Sequence, residues 1–471
     1  MSRHADPALA MPRTLHRLAL WLACFLMLSG CSSLPVIVPD LQLRSGPPVQ
    51  LEGARGPLSA ARSKAVLERL GSRGEDTGIF ERHLAREEEI VESPLTTGNE
   101  VILLQDGPAT FQAMYAAIMA ARDHINMETY ILDDDEVGQR FAQALIDKQR
   151  EGVQVNLIRD SFGTSGTPAA FFQRLIDSGV RVLEFNPINP FMTRKEWALN
   201  RRDHRKLLIV DGRTAFLGGI NISSVYSGGS FSHGSRVRPG GSPPWRDTDL
   251  RLRGPVVAEF QRIFLAAWES QRGDPLPARD YFPQLEPVGT QVVRAIGSSP
   301  EQPFSLIYVT LLSAIGSAET SVHVTNAYFV PDPQLLDALE AAAARGVDVR
   351  LILPNEIDSS LVFHAGRAFY ERLLRAGVRI HERSGVILHS KTVLVDGVWA
   401  TVGSTNLDWR SFLHNHELDA MVLGAEFGKQ LQAMFDRDLA ASLEIELEQW
   451  ERRPFHLRVK EAFARIWAYW L

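Results

Sequence analysis

Two stretches of the chain decide its fold. The first is Asp203-His204-Arg205-Lys206-Leu207-Leu208-Ile209-Val210-Asp211-Gly212, trailed by Gly218-Gly219-Ile220-Asn221. The second is Leu388-His389-Ser390-Lys391-Thr392-Val393-Leu394-Val395-Asp396-Gly397, trailed by Gly403-Ser404-Thr405-Asn406. Both fit H-x-K-x4-D-x6-G-[GS]-x-N with identical spacing. One such pattern among 13 histidines would be weak evidence. Two copies, each followed by the same glycine and asparagine, point to a duplication.

The duplication extends outward from the motifs. METYILDDDEV around Tyr130 is followed by GVQVNLIRDS at Gly152, and TNAYFVPDPQ around Tyr328 by GVDVRLILPN at Gly346. Ser178–Val182 matches Ala376–Ile380 in the same way. Tyr328 lies 198 residues beyond Tyr130, and Gly346 lies 194 beyond Gly152. Helical spacing over Pro108–Arg122 and Val137–Arg150 alternates with strand patterns at Asn126–Leu132 and Val153–Ile158. This is α/β grammar. It predicts two similar lobes, residues 96–275 and 285–450, as duplicated domains rather than a solenoid.

With 471 residues, 45% hydrophobic and 23% charged, the chain has the composition of a globular protein with ample core. A net charge of −6 argues against a general nucleic-acid binder, and no nucleic-acid partner is expected. Arg13 and Arg17 precede an apolar run, Leu18–Leu28, which reads as a secretory signal over residues 1–30, too short to span a bilayer. Leu28-Ser29-Gly30-Cys31 resembles a bacterial lipobox, making Cys31 the lipid-bearing residue. Cys24 and Cys31 are the only cysteines, so the exported part has no disulfide and no cysteine metal site. Its charge would be −8.

Residues 31–95, rich in Pro, Gly, Arg and Glu, read as a tether with little regular structure beyond one short helix near Ser63–Leu70. Gly228–Pro244 reads as a Gly/Ser/Pro surface loop. Residues 451–471 read as a basic amphipathic helix with Val459, Phe463, Ile466, Trp467 and Trp470 on one stripe, either an interfacial anchor or a helix packed on the second lobe. Six basic residues against two acids between Arg194 and Lys206 suit anionic head groups.

The motif also implies a geometry. His204 and Lys206 are two apart, so on a strand they share a face. Two-residue hairpin turns at Asp211-Gly212 and Asp396-Gly397 would place Gly219 opposite His204 and Ser404 opposite His389. Such small residues would leave room for a phosphate, with Asn221 and Asn406 on the same face. An imidazole, an ammonium and an amide then converge in each lobe, a set suited to phosphate chemistry. Asp211 and Asp396 complete the two motifs, but their turn positions favour a scaffold role. Trp245-Arg246-Asp247-Thr248-Asp249 and Asn415-His416-Glu417-Leu418-Asp419 place paired acids at one spacing, and Asp247 and Glu417 are candidates to orient the imidazoles. The alternative is that they are exposed acids at strand ends.

With these residues in view, the chain resembles the phospholipase D superfamily over nearly all of residues 96–450. Within that superfamily, NRRDHRKLLIVDGRTAFLGGINIS and PWRDTDLRLRGP resemble bacterial cardiolipin synthases of the form lacking two N-terminal transmembrane helices. The resemblance implies two α/β/α lobes packed with pseudo-twofold symmetry around one shared active site. It implies phosphodiester exchange without metal or cofactor. His204 would be the nucleophile and His389 the proton carrier, a choice that near-symmetric motifs leave open. Lys206, Lys391, Asn221, Asn406, Gly219 and Ser404 would line the phosphate, and phosphatidylglycerol and cardiolipin would be the substrates. A hydrolytic phospholipase D and a superfamily nuclease are the rival readings. No obligate protein partner is inferred. The lipobox sets this chain apart from those synthases, and Ser32 after Cys31 resembles outer-membrane sorting, so a periplasm-facing lipoprotein is expected.

Overall fold

The computed structural model describes residues 36–37, 49–71, 79–87, 91, 93–193, 198–228 and 243–471. Residues 1–36 and 37–471 form two units, and the first lies outside the described residues apart from Val36. The signal segment and Cys31 therefore fall outside them, as does most of the Gly228–Pro244 loop.

The first lobe contributes seven strands to the main sheet. They are β1 (Leu95–Gln105), β2 (His124–Thr129), β3 (Gln154–Asp160), β4 (Arg181–Phe185), β5 (Leu207–Val210), β6 (Thr214–Gly218) and β7 (Thr248–Arg253). The second lobe contributes β8 (Gln291–Ser298), β9 (Ser321–Asn326), β10 (Asp348–Pro354), β11 (Arg379–Arg383), β12 (Lys391–Val395), β13 (Trp399–Gly403) and β14 (Asn415–Leu423). In the first lobe the spatial order is β4-β3-β2-β5-β6-β7-β1. The second repeats it strand for strand as β11-β10-β9-β12-β13-β14-β8. In each lobe the first three strands are parallel and the rest antiparallel, as expected where helical crossovers give way to hairpins.

The lobes join through their first strands. β1 and β8 pair antiparallel, with Asn99 opposite Gln291 and Thr96 opposite Val293, so one sheet runs through both. Helices Val257–Ser270 and Ala425–Ala440 cover this junction. Phe260 and Phe264 of the first share a single core with Phe427 and Leu431 of the second, over Val293 and Ala420. The duplicated halves are thus one compact body rather than two separable domains.

The tether expectation fails for residues 51–71 and 79–87. Leu51–Gly53 pairs with the start of β1, and helices Ala60–Gly71 and Ile79–Glu87 follow. The first helix covers the stretch around Ser63–Leu70 where one was expected. The second was hidden by its charge content, yet Ile79, Phe80 and Leu84 are buried in the second lobe's core. The His83 ring meets Trp399 edge-on at 5.3 Å.

The motif hairpins are one residue longer in the turn than expected. Val210 pairs with Thr214, and Val395 with Trp399, so three residues close each turn and the register shifts by one. Asp211 and Asp396 leave the ladder with φ of 53° and 51°. Doing so lets the Asp211 carboxylate accept the N–H groups of Arg122, Asp123 and His124 at 2.8–3.1 Å. Asp396 accepts those of Glu319, Thr320 and Ser321. Each pins a hairpin to the loop before β2 or β9, so both are scaffold carboxylates.

Leu84→Ala should cost about 3 kcal/mol through the cavity it leaves, read as a lower urea midpoint with an unchanged slope. A segment acting only as a tether would show no shift.

Candidate active site

The motif histidines lie just outside the hairpin ladders, and something else positions them. Arg202–Asp203 of the first lobe pairs parallel with Asn415–His416 of the second. Ile387–Leu388 of the second lobe pairs parallel with Trp245–Arg246 of the first. Each bridge continues into its histidine: the His204 N–H donates to the His416 carbonyl at 3.0 Å, and the His389 N–H to the Arg246 carbonyl at 2.7 Å. The residue after each acceptor is the candidate acid. The pairs therefore form crosswise. His204 Nδ1 lies 3.0 and 3.1 Å from the Glu417 carboxylate oxygens. His389 Nδ1 lies 2.7 Å from Asp247 Oδ2.

This geometry gives the motif glycines and serine a different task from the one expected. A Cβ at Gly219 would overlap the Asp247 carboxylate, so the glycine makes room for the acid rather than for a phosphate. Ser404, in the equivalent position, donates from Oγ to Glu417 Oε2 at 2.5 Å and accepts from the Leu418 N–H. Gly218 and Gly403 likewise clear space for Asp249 and Asp419, whose carboxylates accept the backbone N–H groups of Ile220 and of Ser404 and Thr405. Those two acids were visible in the sequence as the second members of the matched acid pairs, but they were given no role.

The amides also differ from expectation. Asn221 is already engaged, its Oδ1 accepting the Ile131 N–H at 3.0 Å and its Nδ2 donating to Tyr226 Oη at 3.1 Å. Asn406 Oδ1, by contrast, is buried without a hydrogen-bond partner among the described residues. Only Asn406 is left with an uncommitted oxygen.

Both lysines are buried, at 2% and 3% exposure, and each ammonium donates to the carbonyl of its own motif histidine, Lys206 to His204 and Lys391 to His389. Lys206 also faces the Tyr130 ring, 5.2 Å from its centroid. Tyr130 packs edge-on against His204 at 5.1 Å, and Tyr328 against His389 at 5.9 Å. These tyrosines anchored the sequence repeat without being read as site residues. Tyr226 and Trp245, which also border His389, have Ser411 and Asn415 at the equivalent places of the other repeat, so this aromatic pair is particular to the His389 side.

Of the basic run before the first motif, Arg202 and Arg205 are buried and committed. Arg202 donates to Ser161 Oγ at 2.7 Å, and Arg205 pairs with Glu128 at 3.5 Å. Arg194, Lys195 and Trp197 lie outside the described residues.

Burial shapes the electrostatics. It lowers the His204 pKa to about 4 despite Glu417, leaving a neutral imidazole whose Nδ1 faces a carboxylate that is itself held below its ordinary value. It pushes Asp247 up to about 6. It lowers Lys206 to about 7 and Lys391 to about 8, with Glu417 opposing the shift at Lys206 and Asp247 at Lys391. His389 is also lowered, by burial and by the neighbouring Lys391, Lys206 and His204. Two bases, two cations and two orienting acids thus occupy one composite site that neither lobe builds alone. Among the described residues no cluster of His, Cys, Asp and Glu has the arrangement of a metal site.

Comparison with known proteins agrees with this architecture. The family described as "Cardiolipin synthase, PLD-like domain" matches residues 114–227 and 311–439, one segment in each lobe. The cardiolipin synthase of Geobacillus kaustophilus is 35% identical over 380 residues, covering 80% of this chain and 73% of its own. The major cardiolipin synthase ClsA of Bacillus subtilis is 34% identical over 375 residues, covering 79% and 75%. The crystal structure of phosphatidylserine synthase from Haemophilus influenzae superposes with a TM-score of 0.56 at 14% identity, over 81% of this chain and 97% of that one, a likeness of fold. By sequence over most of its length, the chain belongs to the cardiolipin synthase family of phospholipase D-like proteins.

Proposed function

We propose that this protein is a phosphatidyltransferase that joins two phosphatidylglycerols into cardiolipin and releases glycerol. The observation that carries the reading is the crosswise pairing of His204 with Glu417 and His389 with Asp247, which gives one phosphorus two bases on opposite lobes.

The half-sites are unequal, and the inequality favours distinct roles. His204 Nδ1 faces a carboxylate alone, which fixes the tautomer with Nε2 unprotonated and nucleophilic. His389 Nδ1 faces Asp247, Lys391 Nζ at 2.9 Å and Tyr226 Oη at 3.3 Å, a setting suited to a group whose protonation changes during turnover. His204 Nε2 attacks the phosphorus of the first phosphatidylglycerol. The phosphorus–oxygen bond to glycerol breaks as the departing alkoxide takes the Nε2 proton of His389, which enters this step as the imidazolium paired with Asp247 and leaves it neutral. A glycerol hydroxyl of the second lipid then passes its proton to His389 and attacks the phosphatidyl-histidine, freeing His204. Lys206 and Lys391 offset the charge on the phosphoryl oxygens, and Asn406 holds the amide left over for orientation.

Transfer competes with water, which is far more abundant than any lipid hydroxyl. Effective molarities of about 10⁵ M or more for a positioned group let a bound acceptor prevail where water is excluded. Location supplies part of that positioning. We read Cys31 as the acylated N-terminus of a periplasm-facing lipoprotein, in the outer rather than the inner membrane. The motif Leu28-Ser29-Gly30-Cys31 followed by Ser32 supports this reading.

His204→Ala and His389→Ala should each abolish turnover. Glu417→Gln and Asp247→Asn should each lower kcat by about 10²–10⁴-fold, as when a histidine loses its orienting acid; a loss below about twofold in either would refute the crosswise arrangement. For pH, kcat/KM reports the free enzyme. It should fall on the acid side as the nucleophile His204 gains a proton near 4, and on the alkaline side as the His389–Asp247 pair loses the proton it delivers and Lys206 and Lys391 lose theirs between about 7 and 8. Bound phosphate stabilises both ammonium groups, so the alkaline limb of kcat should lie higher; coincident limbs would contradict the lysine roles.

Phosphatidylglycerol vesicles alone should yield cardiolipin and free glycerol by mass spectrometry, and added glycerol should drive the reaction backwards. Phosphatidic acid as the main product, indifferent to glycerol, would make the protein a hydrolase. Cys31→Ser should end metabolic labelling with palmitate, and persistent labelling would refute the lipid anchor.

A further inference from the structure

The C-terminal helix Phe455–Arg465 packs the wrong way round for a soluble protein. The side it turns inward is small or polar: Glu461, Ala464 and, beyond the helix, Ala468 are buried. The large apolar residues point outward. Phe455, Val459, Phe463, Ile466, Trp467 and Trp470 are between 46% and 78% exposed. A helix with its payload inside would be a packing element; this one leaves a contiguous apolar stripe to be covered by something else.

A second exposed apolar element belongs to the first lobe. Gly179 precedes His204 by 25 residues, whereas Gly377 precedes His389 by 12, so the first lobe carries an insertion directly before its motif. The base of the insertion is closed by Asn186 Nδ2 donating to the Arg201 carbonyl at 2.9 Å. On it a short turn, Pro190–Met192, presents Phe191 at 94% exposure and Met192 at 64%.

One residue ties the two elements together beside the site. Arg410, four residues past Asn406, donates from Nη1 to Asn200 Oδ1 at 3.1 Å, at the end of the insertion. Its backbone N–H donates to the carbonyl of Leu471, at the end of the C-terminal segment, at 3.2 Å. Trp409 meets Tyr469 edge-on at 5.4 Å. Both apolar elements are therefore rooted within a few residues of the catalytic machinery, one in each lobe.

We infer that these two elements form a single docking surface for an anionic bilayer, seating the composite site against the head groups. This rests on the phosphatidyl-transfer reading above. Charge selects the occupant. In a chain of net charge −6, residues 452–471 carry five cations and one acid. That acid, Glu461, is buried and paired with Arg453 at 2.9 Å, and Arg458, Lys460 and Arg465 stand exposed beside the stripe with no acid paired to them among the described residues. Tryptophans at the margin of an apolar stripe flanked by cations suit the boundary between head groups and acyl chains, where the ring is buried and the cations meet lipid phosphates.

The test uses the full chain and two readouts. Tryptophan fluorescence should be quenched by phosphatidylglycerol vesicles carrying brominated acyl chains, and Trp467→Phe with Trp470→Phe should remove most of that quenching. Because the comparison is between variants, a lipid anchor elsewhere does not mimic it. Phe463→Glu with Ile466→Glu should lower cardiolipin formation from vesicles by about tenfold or more, while leaving turnover of monomeric short-chain phosphatidylglycerol within about twofold. Quenching unchanged by the tryptophan substitutions overturns the surface. So does equal quenching by neutral phosphatidylcholine vesicles, or a loss of self-association in the glutamate variant with vesicle activity intact. Should the unmodified protein convert neither substrate, the transfer reading fails, and the quenching still decides the surface.

Discussion

The structure depends on two buried imidazole–carboxylate pairs that cross between the lobes. Burying such groups is unfavourable unless each finds its partner in good geometry, and removing one partner leaves an uncompensated polar group or charge inside. The pairs therefore constrain everything near them. The short parallel bridges Arg202–Asp203 with Asn415–His416, and Ile387–Leu388 with Trp245–Arg246, exist where they bring each base to the other lobe's acid. Gly218, Gly219 and Gly403 are glycines because carboxylates fill the space a side chain would need. The common core of Phe260, Phe264, Phe427 and Leu431 keeps the lobes from separating, and separation would break both pairs at once.

Near-symmetry of backbone supports asymmetry of chemistry. The strand orders of the lobes are identical, yet the substitutions at equivalent positions are consistent in direction. Glu417 is longer than Asp247 and is fixed by Ser404 Oγ, with Asn415 Nδ2 adding a donor at 3.2 Å. Asp247 instead faces a glycine, and His389 acquires Tyr226 and Lys391 as neighbours. One half-site holds a single protonation state firmly, and the other surrounds its histidine with groups able to share a proton. A two-step exchange through one phosphorus needs that division of labour, because the nucleophile must stay unprotonated while the proton carrier cycles.

Much of this was legible in the sequence because the duplication repeats its polar residues at fixed intervals. The α/β grammar, the two lobes, the four motif His and Lys residues and the acids Asp247 and Glu417 were all read from spacing. What spacing could not supply was partnership in space. That His204 answers to Glu417, and His389 to Asp247, follows from inter-lobe strand pairs two residues long, which have no periodic signature. The hairpin register went one residue astray because Asp211 and Asp396 look like turn residues, whereas their carboxylates are committed to loops about 80 residues distant in sequence. Helix Ile79–Glu87 was missed because its charged residues mask three core contacts. In the same way the basic run before the first motif read as surface charge, although Arg202 and Arg205 are internal structural cations.

The two lysines join fold stability to function. Lys206 and Lys391 are buried beside carboxylates that do not fully offset the loss of water, and both pKa values fall toward neutrality. Each ammonium rests on the carbonyl of its own histidine, a partner that carries no formal charge. The folded protein therefore bears the cost of dehydrating these cations before substrate arrives. In the proposed reaction, a phosphodiester entering the site would meet donors that need not shed water and that prefer an anion to a carbonyl. The attraction strengthens further as charge builds on the phosphoryl oxygens, which is where preorganised groups lower a barrier most. A site assembled from both lobes can hold two such cations close together only because Glu417 and Asp247 counter them from opposite sides. The acids that aim the histidines thereby also keep the lysines charged.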